Sequence, residues 1–206
     1  IDTDQNEHLI RPGKPHQPKF KSRLVGCGQF EDRRGIRSDS PTCDVEGLNL
    51  VCSFAACKKL KLKCSDLRNA YFNGEPLDRL LLMWPPKGGL PDEGHDRYAL
   101  ASNLPVYGTG DAGRRFYKAF RQKALDAGMQ ENEVMKSLYA YSVDGDIKVM
   151  MGTHVDDLLH ASDPESAYIM EELLSNFEVK ETKEAMKAEF RFCGREYVQY
   201  PDFSIK

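Results

Sequence analysis

The chain contains no Cys-x-x-Cys pair, no internal repeat and no apolar run close to the roughly 20 residues that cross a bilayer. Its six cysteines, Cys27, Cys43, Cys52, Cys57, Cys64 and Cys193, are scattered. Their spacing excludes a zinc or disulfide framework, and the apolar surroundings of most of them predict small buried thiols in a reducing compartment. Residues 1–19 are polar, carry Pro12, Pro15 and Pro18 and lack an apolar core of signal-peptide type, so an extended arm is expected there. A strong excess of charge is missing too: the net charge of −3 speaks against a surface built wholly for nucleic acid.

What the chain does have suits a globular protein of one domain or of two small lobes sharing a core: 206 residues, 40% hydrophobic and 30% charged. Its charges are uneven. Lys and Arg gather in 14–37, 58–63 and 114–123, whereas acids dominate from 156 to 189.

The pattern of apolar residues places the elements. Residues 20–30 read as a basic, strand-like run that ends in glycines, followed by a charged loop over 31–44. Leu48, Val51, Cys52 and Ala55 recur at helical intervals and predict a mostly buried helix over 47–59. In 60–67 the period changes to two, with Leu60, Leu62 and Cys64 alternating against lysines. By that parity Asp66 falls on the apolar face, so either the strand kinks there or a cation neutralises the carboxylate. A short strand at 80–83 precedes a Gly/Pro loop over 87–96.

A helix over 111–127 is predicted, with Asp111 as its cap and Gly128 just past its end. Phe116, Phe120 and Ala127 line one side, while Arg114, Lys118 and Arg121 line the other. Such a basic stripe is either a solvated face or a nucleic-acid contact. Runs at 138–143 and 147–155 flank Asp144-Gly145, a strong hairpin signal, and 158–161 extends the pair to a three-stranded meander. Ser162-Asp163-Pro164-Glu165 then starts a helix whose apolar face is Ile169, Met170, Leu173, Leu174 and Phe177. Phe190 and Phe192 mark a further strand.

Between the second and third strands of the meander stand Asp156 and Asp157. Adjacent carboxylates repel, and a divalent cation held by oxygen ligands would relieve the repulsion. Taken alone, the pair reads more simply as a polar turn with no ligand, since Asp is a common turn residue.

Taken in order, the landmarks KSRLVGCGQF (21–30), SDLRNAYFNG (65–74), LLMWPP (81–86), VYGTGDAGRRFYK (106–118), HVDD (154–157) and FRFCG (190–194) resemble the reverse transcriptase of copia-type LTR retrotransposons. The similarity runs from about residue 21 to 200. It implies an α+β fold over 20–206, the fingers and palm of a right-hand polymerase: an antiparallel sheet with helices packed on one face. It also implies a fragment that stops short of the thumb and RNase H regions.

By the same resemblance Asp66, Asp156 and Asp157 are the catalytic, metal-binding acids, holding two Mg²⁺ or Mn²⁺ ions. Two such ions clamp the attacking and leaving oxygens of an in-line phosphoryl transfer. Tyr71 lies where the family carries the aromatic beneath the incoming sugar, although on its own it reads as a packed loop aromatic. Lys21 and Arg23 match the basic strand that faces the triphosphate. The implied partners are an RNA or DNA template with its primer, deoxynucleoside triphosphates and other polyprotein segments such as RNase H and integrase, with no membrane. The implied location is a cytoplasmic virus-like particle or the nucleus.

Four positions depart from the family pattern. Asp111 replaces the glutamine that helps to position nucleotide and template; an acid there is expected to repel phosphate, and Asp111→Gln to raise activity. His154 replaces the tyrosine before Val-Asp-Asp, and Cys27 and Asn49 replace arginines. Two rivals to an active polymerase therefore stand: a decayed relic that keeps the fold and at most binds nucleic acid, and an unrelated protein whose hairpin acids are turn residues.

Overall fold

Alternating apolar residues and a type I′ turn build the centre of the molecule. In the computed structural model, which describes residues 25–32, 34–86 and 99–206, strand β5 (Leu138–Val143) turns at Asp144-Gly145 into β6 (Asp146–His154). Both turn residues have positive φ, 52° and 80°, as a two-residue hairpin of this hand requires. β6 then pairs with β7 (Asp157–Ser162), completing the expected meander. The arm at 1–19, Lys21, Arg23 and the 87–96 loop lie outside the described residues.

The remaining elements, in chain order, are α1 (Val45–Cys57), β1 (Lys63–Leu67), β2 (Leu81–Met83), β3 (Leu100–Ser102), α2 (Ala112–Asp126), β4 (Gln130–Glu131), α3 (Ala167–Ser175), β8 (Val179–Glu184), β9 (Phe190–Phe192) and β10 (Arg195–Tyr197). β1 inserts between β7 and β8, giving an antiparallel six-stranded sheet in the order β4-β5-β6-β7-β1-β8. β2–β3 and β9–β10 are separate hairpins.

Both faces of the sheet are covered, which corrects the expectation of helices on one face. Val149, Met151, Leu158 and Leu67 point to α2 and α3, where Phe120 stacks on Phe177 with ring centroids 5.5 Å apart. Their neighbours Met150, Leu159 and Cys64 point the opposite way, to α1 and the β9–β10 hairpin. Strands buried on both faces read as near-continuous apolar runs, as 147–155 does. Gly152 sets the approach of α1: a Cβ there would meet Cys43 Sγ and Leu48 Cδ2, each at 2.9 Å.

The helix ends are specific. Asp44 caps α1 by accepting the Gly47 N–H at 2.7 Å. Asp111 occupies the corresponding place on α2, but its side chain does not cap the helix. Gly128, with φ +86°, ends α2 as predicted. Gln199 substitutes for a strand: its side-chain amide accepts the Leu62 N–H at 2.9 Å and donates to the Leu60 carbonyl at 2.8 Å. All six cysteines are free, and Cys27, Cys57 and Cys193 are exposed, which corrects the expectation of buried thiols. Cys57 ends α1 on its outer side, and Cys193 sits at the tip of β9–β10 with φ +47°. No described helix is long and apolar enough to cross a membrane.

Candidate active site

Strand order brings the sequence-predicted acids together at one end of the sheet. β1 and β7 are antiparallel neighbours, and their register puts Asp66 directly opposite Asp157. Both side chains fall on the α1 face, in line with Cys64 and Leu159, which alternate with them along the strands. The parity reading of Asp66 thus holds. Asp156 lies in the two-residue turn between β6 and β7, and its carbonyl accepts the Leu67 N–H at 2.8 Å, tying the tip of the hairpin to β1.

That turn is strained. Val155 has φ +55° whereas Asp156 does not have a positive φ, the pattern of a type II′ turn whose first position glycine usually takes. A β-branched residue in the left-handed region costs of order 1–3 kcal/mol. The hairpin ladder on both sides, from Val149↔Ser162 to His154↔Asp157, holds it there.

The electrostatics follow from this crowding. Burial, then the charges of Asp156 and Asp66, push the Asp157 carboxyl above the ordinary range, eased only in part by His154 and Lys180. Asp66 has a closer cation, the Lys180 ammonium, which donates to its Oδ2. Of the two alternatives raised for Asp66, neutralisation by a cation is the one that occurs; β1 runs in regular register with β7 through Asp66, and the irregularity of the β1–β8 ladder leaves its extra residue on β8. Carboxylate oxygens of this kind suit Mg²⁺ or Mn²⁺, and mutual repulsion is what a divalent ion would relieve. Among the described residues, however, no group of three or more His, Cys, Asp or Glu side chains is gathered closely enough to hold an ion as it stands.

Behind the acids runs a buried polar chain that sequence reasoning missed. Ser65 Oγ lies 3.1 Å from His160 Nε2 and 2.9 Å from Thr182 Oγ1, joining β7, β1 and β8 one residue from Asp66. Burial, assisted by Lys63, pushes the His160 pKa down to about 3, so the ring is neutral. Ser65 and His160 alternate with apolar neighbours and so resemble core positions.

Beside the hairpin lies a cavity of about 160 Å³ lined by Ala70, Tyr71, Tyr107, His154, Val155 and Asp156. Tyr71 is presented by a 3₁₀ turn, Ala70–Asn73, and its ring centroid is 4.6 Å from that of Tyr107. Gly74 lets this turn press on α2, because a Cβ there would stand 2.8 Å from Pro105 and 3.0 Å from the Phe116 nitrogen. The backbone of 26–28 is stitched to the same region: Gly26 N–H donates to the Tyr107 carbonyl at 2.7 Å, and a Cβ on Gly28 would be 1.9 Å from the Gly108 oxygen.

Asp111 does not present its charge outward. It is 4% exposed, and its carboxylate accepts from Arg79 Nη1 at 2.8 Å and Arg115 Nε at 3.2 Å. Arg79 also donates to Glu31, whose second oxygen accepts the Gly110 N–H at 2.9 Å. Burial pushes the Asp111 carboxyl up, but the hydrogen bonds and charge of Arg79, with Arg115, outweigh it and hold the pKa below the ordinary range. The expected repulsion of phosphate thus meets two guanidinium groups that already absorb the charge. Nor is the basic stripe of α2 free: Arg114 pairs with Asp39, Lys118 with Glu75 at 3.4 Å and Arg121 with Glu131 at 2.7 Å. Arg79 was not singled out in the sequence; an arginine five residues past Gly74 carries no signal of a partner at 111.

No curated protein and no solved structure matches the chain. A family model described as reverse transcriptase (RNA-dependent DNA polymerase) matches residues 10–200, a span that holds Asp66, Asp156, Asp157 and the cavity beside them. With that much of its 206 residues matched, the chain belongs to the reverse transcriptase family.

Proposed function

We propose that this chain carries out RNA- or DNA-templated DNA synthesis as the fingers and palm of a copia-type retrotransposon polyprotein. The observation that carries the proposal is the register that sets Asp66 opposite Asp157 beside the cavity of Tyr71 and Asp156. Asp66, Asp156 and Asp157 would hold two divalent ions. When bound, those ions supply a lowered pKa at the primer 3′-hydroxyl and neutralisation of the triphosphate.

The chain's own groups do the rest. The carboxylates offer acceptor oxygens from two adjacent strands, and the ladder from His154↔Asp157 inward fixes the strands that carry them. A bound ion would have to draw the side chains together, since they do not form a closed ligand set as they stand. Tyr71, backed by Tyr107, forms an aromatic wall that admits a deoxyribose and clashes with a 2′-hydroxyl. Lys21 and Arg23 would meet the triphosphate; the segment that follows them, 25–28, runs alongside Tyr107 and Gly108. Asp111 would act on substrate through the loop it anchors, since Arg79 ties it to Glu31, which holds the Gly110 N–H beside it. Lys118 and Arg121, each about half exposed, would contact duplex phosphates in exchange for Glu75 and Glu131.

A second reading, a relic without catalysis, draws on Lys180, which already neutralises Asp66, and on the paired basic stripe. Primer extension on poly(rA)/oligo(dT) with Mg²⁺ or Mn²⁺ separates the two. The active reading expects extension that depends on Asp66 and Asp157; the relic reading expects duplex binding alone.

A further inference from the structure

Where β1 meets β8 the ladder slips. Asp66 faces Glu181, but the next residue, Leu67, faces Val179. Lys180 is the residue left over, the extra member of a β-bulge. A bulge bends its strand and re-aims the side chain it leaves unpaired. Here the ammonium of Lys180 reaches Asp66 Oδ2. The Asp66 side chain is 23% exposed and that of Lys180 50%, so one end of the pair is held in the sheet and the other borders solvent. The same positive charge is felt by Asp157.

We propose that Lys180 is a built-in counter-ion of the carboxylate site: without metal it occupies an oxygen of Asp66, and a divalent cation must displace it to bind. This rests on the reading of Asp66 and Asp157 as metal ligands and adds the residue that sets how readily they accept an ion. The physics is a competition. Asp66 and Asp157 stand opposite each other with Asp156 adjacent, so the metal-free site needs a cation to limit repulsion. A lysine supplies one charge through one contact. A divalent ion supplies two and can take several oxygens, so it prevails once present. The released ammonium, on a flexible four-carbon stem at the solvent edge, is readily rehydrated.

The test measures Mn²⁺ binding by the loss of its free electron-spin resonance signal, together with thermal unfolding in EDTA, on the whole chain. Lys180→Met should lower the metal-free midpoint and tighten Mn²⁺ binding roughly two- to five-fold, the range of a half-exposed ion pair. Lys180→Arg, which retains the pair, should bind Mn²⁺ no more tightly than wild type. Lys183→Met removes the same charge from a neighbour that pairs with Glu181 at 3.0 Å and should do neither. Asp157→Asn should weaken Mn²⁺ binding severalfold. Unchanged or weaker affinity in Lys180→Met, with Asp157→Asn still impaired, overturns the role of Lys180 and leaves the metal site standing. Equal tightening in Lys183→Met also overturns it, reducing the effect to general charge. Wild-type Mn²⁺ binding that is absent, or indifferent to Asp157→Asn, overturns the metal site and this proposal with it.

Discussion

Asp66 on β1 and Asp157 on β7 are cross-strand partners, two carboxylates facing each other on the same sheet face as the apolar Cys64 and Leu159. Like charges directly opposite in a sheet are destabilising. Their juxtaposition thus works against the stability of the metal-free fold, and it adds, after burial and the charge of Asp156, to what raises the Asp157 pKa.

Removing one of these charges should therefore stabilise the metal-free protein. Asp157→Asn in EDTA should unfold with a free energy equal to or up to about 1 kcal/mol above wild type at neutral pH. The sign follows from the raised folded-state pKa. The penalty is absent where the carboxyl is protonated in both states, grows as pH rises through the ordinary carboxylate value and is complete above the raised one. Denaturant unfolding across pH 3–8 checks it: the two proteins should converge in acid and separate at neutrality.

Asp111 should behave oppositely. Its depressed pKa means that its contribution is present above the ordinary carboxylate value and fades as pH falls through the folded one. Asp111→Asn, which leaves Arg79 and Arg115 short of an acceptor, should cost about 2–3 kcal/mol at pH 7. Urea midpoints at pH 7 and pH 3 should show that gap narrowing in acid. Asp111→Gln should likewise lose stability rather than gain activity, contrary to what sequence alone suggests.

His160 supplies a second acid-sensitive element. Buried and neutral with a pKa of about 3, it takes up a proton on unfolding whenever the pH is below the free histidine value of about 6.5. The stability it supports is full above that value and falls by up to about 1.4 kcal/mol per pH unit below it. His160→Gln, able to keep a hydrogen bond to Ser65, should flatten the stability–pH curve between pH 6.5 and pH 4 without altering its shape near pH 8.

Duplex binding should be salt-dependent but only modestly carried by α2. Because Lys118 is paired with Glu75, phosphate contact gains less than a free charge would give. Lys118→Ala should lower the slope of log affinity against log salt by less than about 1. Fluorescence anisotropy with a labelled primer–template at several salt concentrations reads this directly.

Much of this arrangement was legible in the sequence. The Asp-Gly turn, the strand within 60–67, the apolar runs of the 138–161 meander and the aromatic stripe of α2 appear where alternation, apolar runs and turn chemistry put them. The place of Asp66 on the apolar side of its strand was legible from parity, and a carboxylate there requires a partner, which the structure supplies as Lys180. What stayed hidden depends on pairing across long separations. Neither the bulge that aims Lys180 at Asp66, 114 residues away, nor the reach of Arg79 to Asp111 leaves a local pattern. Nor does β8, whose sequence VKETKE is an edge strand exposed along most of its length. The covering of both sheet faces was missed because a buried run does not say what lies on either side of it.

As acids of a working polymerase, Asp66 and Asp157 should be indispensable to DNA synthesis. The most direct measurement is primer extension on poly(rA)/oligo(dT) with Mg²⁺ or Mn²⁺, comparing wild type with Asp157→Asn, a change that keeps side-chain shape and removes one charge. Wild type should extend the primer, and Asp157→Asn should fall roughly a hundredfold or more while binding duplex at least as well. Extension by Asp157→Asn at the wild-type rate, or no extension by wild type under conditions where it binds the duplex, would contradict the claim.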